Sequence, residues 1–189
     1  MKFKGIPTKE LEKAYMKSLE WFFAFPMAKI GLTELTRNIH TSKTATKEAV
    51  EKLIEQNFIT REVIGKAWLL STNQKNRDFS NKKISSNLNN IYESNIIKEI
   101  NKVYPQAKVI ILFGSYRWGD DHEKSDIDIA IEILGSKMEI INLGIIEQLG
   151  YRKNIPVNLH LFSRSKIDIN LFSNIANGIV LDGFLEVKP

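Results

Sequence analysis

The chain has no cysteine, which removes disulfide bonds, thiolate zinc sites and cysteine nucleophiles together. It also lacks long apolar runs. The strongest, around Trp21 to Phe25 and Val109 to Phe113, fall far short of the roughly 18 residues that span a bilayer. Lys2 and Lys4 are followed by a charged segment and not by a signal-like apolar one. A cytoplasmic location with no membrane partner is therefore expected. No internal repeat or long low-complexity tract is evident, and 189 residues at 43% hydrophobic and 26% charged allow one large or two small folded domains.

The formal net charge is +5, and it is unevenly placed. Residues 1–80 hold 14 Lys and Arg against 9 Asp and Glu, whereas residues 81–189 hold 13 against 13. The whole excess lies in the N-terminal part, as a nucleic-acid partner for that part would require.

Pro7 and Thr8 suggest a helix start, and Leu11, Tyr15, Leu19, Phe22 and Phe23 follow at helical spacing until Pro26. A short helix is expected over 32–39. A third runs from an N-cap at Thr41-Ser42 to about Gln56, with Ala45, Ala49, Val50, Leu53 and Ile54 on one face. Residues 58–64 and 67–71 flank Gly65-Lys66 as a β-hairpin. Three helices and a hairpin over about 8–73 resemble a winged helix-turn-helix. That resemblance implies a third helix in the DNA major groove, with Ser42, Lys43, Thr44, Thr46 and Lys47 facing it and Arg61 and Lys66 reaching phosphates near the wing. Use for protein contacts alone is the alternative. The expected boundaries are 1–75 for this domain and 76–90 for a linker rich in Asn, Ser, Lys and Asp. A second domain then fills 91–189, starting with a helix whose apolar face is Ile91, Ile97, Ile100 and Val103.

The organising stretch of that domain is Val109 to Phe113, an apolar strand that stops at Gly114-Ser115. After ten intervening residues comes Asp126-Ile127-Asp128-Ile129-Ala130-Ile131. Strand side chains alternate, so Asp126 and Asp128 share one face while Ile127, Ile129 and Ile131 take the other. Two neighbouring carboxylates repel when both are ionised, which calls for a cation, and hard oxygen ligands favour Mg²⁺ completed by water and phosphates. The Gly-Ser turn offers backbone N–H groups and a hydroxyl to a phosphate chain.

This order and spacing resemble the signature of the DNA polymerase beta-type nucleotidyltransferase superfamily, particularly its minimal members. The resemblance implies an α+β fold with a mixed β-sheet. It also implies a nucleoside triphosphate, ATP being expected, held by Gly114 and Ser115, and Mg²⁺ held by Asp126 and Asp128. Arg117 either contacts the triphosphate or is a solvated surface arginine. Trp118 either stacks on a base or packs, packing being the expectation, and His122 is expected to be an exposed loop residue. Residues 138–149 read as a buried helix, and Pro156 introduces a strand over 157–162. In the resembled family that strand carries a third aspartate. Here its face offers Asn158, as a weaker metal ligand, and His160, as a proton acceptor or an ordinary hydrogen-bonded histidine. A helix to about Asn177 and a strand over 179–181 close the domain.

Two functions follow. One is transfer of a nucleoside monophosphate to an acceptor hydroxyl, coupled to DNA binding in an antitoxin-like or regulatory role. It would involve a toxin-like HEPN-domain protein partner and a homodimer reading a palindrome. The other is a DNA-binding regulator whose nucleotidyltransferase fold has lost catalysis and senses nucleotide or dimerises. A scaffold using both folds only for protein contacts is a third.

Overall fold

A computed structural model of the protein describes residues 9–186, and the helix start read at Pro7 and Thr8 lies outside them. The chain divides into two compact units, Met1–Ser80 and Asn81–Pro189.

In the first unit, α1 (Lys9–Ala24), a short β1 (Lys29–Gly31), α2 (Leu32–Asn38) and α3 (Lys43–Glu55) precede the hairpin of β2 (Ile59–Ile64) and β3 (Ala67–Thr72). Strand β1 joins the hairpin to give the sheet order β1-β3-β2, all antiparallel. Ser42 caps α3 by accepting from Ala45 N at 3.2 Å, and Ala45, Ala49, Val50 and Leu53 are buried as their spacing predicts. Phe22, Leu35, Leu53 and Leu70 lie at the centre of the unit.

The expected linker is instead a helix, α4 (Arg77–Glu93). Phe79, Lys83, Asn87 and Ile91 recur every four residues and are 2%, 1%, 5% and 0% exposed. The buried stripe is real, but two of its members are polar, so the segment resembles a solvated connection in sequence. Asn76 starts it by accepting from Asp78 N at 2.8 Å. A left-handed Asn95 separates it from α5 (Ile96–Val103), whose last residue Val103 is exposed and not on the apolar face expected for it.

The second unit is built on a five-stranded mixed sheet in the order β6-β7-β5-β4-β8. Its strands are β4 (Val109–Phe113), β5 (Ile127–Glu132), β6 (Glu139–Leu149), β7 (Arg152–Phe162) and β8 (Ile179–Gly183). Only β5 and β7 run parallel. One sheet face packs Leu112, Ile129 and Leu159 with Ile91, Ile96 and Ile100 from α4 and α5. The other packs Ile111, Ala130 and Phe162 with α7 (Ile169–Ala176).

Strand β6 replaces the helix expected over 138–149. The doublets Ile140-Ile141 and Ile145-Ile146 mimic helical spacing, yet β-branched residues favour a pleated strand and Gly144 breaks the segment as a bulge, with φ of 107°. Strand β7 also starts earlier than expected, so Pro156 lies inside it. Its missing N–H is tolerated because β5 begins pairing only at Ile127 with Val157.

Candidate active site

Every residue of β4 is buried, and the strand delivers its end to Gly114, where φ is 70° and ψ is −157°. This backbone region belongs to glycine. A second constraint is steric: a Cβ at Gly114 would lie 2.7 Å from Oδ2 of Asp128. The turn is thus built directly against the carboxylate. A single helical turn, α6 (Ser115–Trp118), follows and ends at Gly119, whose N–H donates to Ser115 O at 2.9 Å with φ at 71°.

Asp126 immediately precedes β5, Asp128 lies within it, and both are half-buried, while Ile127, Ile129 and Ile131 are fully buried on the opposite face. Parallel pairing sets Asp128 beside Asn158 and Ala130 beside His160. The Asn158 amide donates to Asp126 Oδ2 at 2.5 Å and faces Asp128 Oδ1 at 3.4 Å. On the other flank, His160 Nε2 meets Asp128 Oδ1 at 3.2 Å, and the imidazole stands edge-on to Phe113 with ring centres 4.9 Å apart. His160 Nδ1 is buried and has no hydrogen-bond partner among the described residues. The four predicted residues Asp126, Asp128, Asn158 and His160 therefore form one cluster beside the Gly114 turn.

Residues 95–182 match the family model for "Polymerase beta, Nucleotidyltransferase". The match covers a little under half of the chain, begins at the start of α5, ends in β8 and contains the whole Gly-Ser and acidic cluster. It supports the polymerase beta nucleotidyltransferase superfamily for this region. No curated protein matches the chain.

A polymerase beta-type site implies a divalent cation. Asp126 and Asp128 are hard oxygen donors, and Asn158 places a side-chain amide between them. Among the described residues no group of three or more His, Cys, Asp or Glu is arranged to hold a metal. That donor set suits Mg²⁺, which takes one or two carboxylates and leaves positions for phosphate and water, and does not suit a metal needing a full protein cage.

Sequence reasoning missed a second charged cluster just behind the polymerase beta-type loop. Asp121, 1% exposed, faces Lys83 Nζ at 3.3 Å and Arg152 Nη1 at 3.6 Å, and accepts from Asn87 Nδ2 at 2.8 Å. Lys83 also donates to the Asp121 carbonyl, and Arg152 donates to the Ser125 carbonyl and, at 2.7 Å, to the Tyr116 hydroxyl. The loop ending at Asp126 is therefore tied down by two buried cations. Burial pulls the Lys83 ammonium pKa below its ordinary value, although Asp121 acts the other way, and burial pushes the Tyr116 phenol up. The available signal was Lys83 at four-residue spacing between Phe79 and Asn87.

Other predicted residues are dispersed. Arg117 donates through Nε to the Asn177 carbonyl at 2.7 Å and stacks on Trp118 at 3.7 Å. Trp118 does not pack inside as expected; it is 53% exposed, whereas Tyr116 of the same helical turn is buried. His122 is exposed, as expected, and its Nδ1 accepts from Lys124 N.

In the first unit Lys43, Lys47 and Lys66 meet Arg37 and Trp68 around a concavity of about 670 Å³. Arg61 and Lys47 approach the Trp68 ring at 4.5 and 5.5 Å. Lys43 and Thr44 are exposed, but Thr46 is fully buried, and its hydroxyl bonds to Ser42 O at 2.9 Å and to Thr41 Oγ1 at 2.7 Å. Its helical position points it inward, which corrects the groove-facing assignment.

Proposed function

We propose that the chain is a Mg²⁺-dependent nucleotidyltransferase that moves a nucleoside monophosphate from a triphosphate, ATP foremost, to an acceptor hydroxyl. The observation that carries this reading is how closely the Gly114 turn lies against Asp128, where an added Cβ would meet Oδ2; it supports a phosphate-binding turn beside the acid pair. Asp126 and Asp128 would hold Mg²⁺, joined by the amide oxygen of Asn158 once that amide turns its N–H group away from the carboxylates, and the cation's charge would offset that of the phosphates. The Ser115 hydroxyl and the first N–H groups of α6, which have no partner inside the helix, bind the phosphate chain. The acceptor oxygen attacks the α-phosphorus, a new P–O bond forms, the bond to the bridging oxygen of the β-phosphate breaks with pyrophosphate leaving, and the hydroxyl proton passes to solvent water. Phosphoryl chemistry draws mostly on positioning and charge neutralisation, so a strong base is dispensable. His160, with Nε2 on Asp128 and Nδ1 enclosed, acts by orienting that carboxylate.

The first unit is, in this proposal, a winged helix-turn-helix that binds double-stranded DNA as a homodimer through Lys43, Thr44, Lys47, Arg61 and Lys66. The position of Lys43, Lys47 and Lys66 around one concavity, with Arg61 over the ring of Trp68 that also lines it, supports the reading. An antitoxin-like role with a toxin-like protein partner belongs to the same reading. Lys43→Ala with Lys47→Ala should weaken duplex binding and flatten its salt dependence; unchanged affinity at several salt concentrations removes the assignment.

One observation favours a second reading. The Asn158 amide already donates to both carboxylates where a cation would sit, as suits a nucleotide-sensing regulator without catalysis. α-Labelled triphosphates with Mg²⁺ and a lysate of the source cells separate the two. Label transferred by wild type and lost in Asp126→Asn/Asp128→Asn establishes the transferase. Mg²⁺-dependent nucleotide binding without transfer establishes the regulator.

A further inference from the structure

Strand β7 opens with Arg152, which is 5% exposed and whose Nε is buried with no hydrogen-bond partner among the described residues. Its terminal nitrogens reach two other parts of the second unit. Nη1 donates to the Tyr116 hydroxyl of α6 at 2.7 Å and lies 3.6 Å from Asp121 Oδ2. Nη2 donates to the Ser125 carbonyl and, at 3.4 Å, to the Glu123 carbonyl. The strand that presents this guanidinium also carries Asn158 and His160.

Both contact regions adjoin the candidate site. Tyr116 follows Ser115 in the single turn of α6 and is held at both ends: its carbonyl accepts from Asn87 Nδ2 at 3.1 Å while its hydroxyl accepts from Arg152. Ser125, whose carbonyl Arg152 holds, immediately precedes Asp126. One planar group therefore ties the turn that starts at Gly114 to the end of the loop that delivers the first aspartate. We infer that Arg152 is a positioning residue for the cation site, setting the spacing between the Gly114-Ser115 turn and Asp126 without touching cation or substrate.

Stability alone is a weak reason for a cation in this place. A buried ion pair contributes little over apolar packing of the same volume, and an unpartnered buried Nε adds a cost. Geometry is the stronger reason, because a guanidinium presents its donors in a fixed fork, whereas an ammonium on a flexible stem is a point charge. A lysine could keep the charge beside Asp121 but could not hold Tyr116 and Ser125 at once.

The inference rests on the Mg²⁺ site proposed above, and the test uses the full chain. Equilibrium dialysis with labelled ATP over a series of Mg²⁺ concentrations reads the cation requirement, and urea denaturation reads stability. In Arg152→Lys the Mg²⁺ concentration for half-maximal ATP binding should rise about tenfold or more, as it does when a residue that orients metal ligands is lost. Ile100→Ala truncates a core residue of α5 that is 2% exposed. It should lose stability yet keep the Mg²⁺ requirement within about twofold of wild type. An unchanged requirement in Arg152→Lys, or an equal rise in Ile100→Ala, overturns the inference and leaves the cation site standing. If Arg152→Lys does not fold, Tyr116→Phe removes the Nη1 bond to the hydroxyl alone and should raise the requirement by a smaller factor; no rise overturns the inference. Wild type that binds ATP without regard to Mg²⁺, or not at all, removes the proposed cation site and this inference with it.

Discussion

Two charged clusters lie on either side of one loop in the second unit, and they are built on opposite plans. Behind the loop, Asp121 has two cations and an amide around it, all within 3.6 Å and almost wholly buried. In front, Asp126 and Asp128 are half-buried and have an amide, an imidazole and, among the described residues, no lysine or arginine in ion-pair contact. The closed cluster surrounds its one carboxylate with two cations and an amide from within the fold, an arrangement suited to holding structure. The open one has an excess of negative charge that a cation from outside would complement, and that is the arrangement chemistry needs.

The sharpest way to break the comparison is to remove Asp121. Asp121→Ala strands Lys83 and Arg152 as buried cations without their carboxylate, and the expected loss is about 3–5 kcal/mol of unfolding free energy. Urea denaturation reads it. Asp126→Asn should change stability by no more than about 0.5 kcal/mol, since it relieves repulsion at an accessible site. Similar costs for the two would mean that the clusters do not differ as described.

Gly114→Ala probes the boundary between the clusters and should have the next largest effect. Its Cβ would collide with Asp128 Oδ2, and the positive φ strains any other residue, so a loss of about 1–3 kcal/mol is expected. Displacement of Asp128 should also remove label transfer in the α-phosphate assay. A stable variant with full transfer would separate the turn from the acid pair.

The open cluster was legible in the sequence because its parts are local: an apolar strand, Gly114-Ser115, and two aspartates at strand spacing. The closed cluster was not, because its members come from 83, 87, 116, 121 and 152 and only the fold joins them. Two elements were misread for mirror-image reasons. Helix α4 hides a buried stripe behind Lys83 and Asn87, whereas β6 displays Ile140 and Ile145 outward although they read as core. Hydropathy predicts burial only where the partner of a face is apolar, and each of these faces breaks that condition. Thr46 and Trp118 repeat the pattern singly, a polar residue turned in and an aromatic residue left out.

The smallest effect, and the most specific to the closed cluster, is alkaline. Tyr116 is 3% exposed and its hydroxyl accepts from Arg152 at 2.7 Å. Burial raises its pKa above the ordinary value near 10, with the Arg152 charge pulling the other way. Above about pH 10 the unfolded chain gives up this proton while the folded chain keeps it, so the folded state binds more protons and stability falls as pH rises. Lys83 has the reverse sign. Its lowered pKa lets the folded state lose a proton first, so stability rises with pH between the folded value and the ordinary value of about 10.4. Tyr116→Phe should therefore cost about 1 kcal/mol near neutrality through the lost hydrogen bond, yet decline less steeply than wild type above about pH 10. Lys83→Met, compared in the same way, should lose the rise that precedes that decline. Urea midpoints measured from pH 8 to 11 check both, and parallel curves for wild type and Tyr116→Phe would mean that this phenol is open to solvent and the cluster behind the loop is not closed.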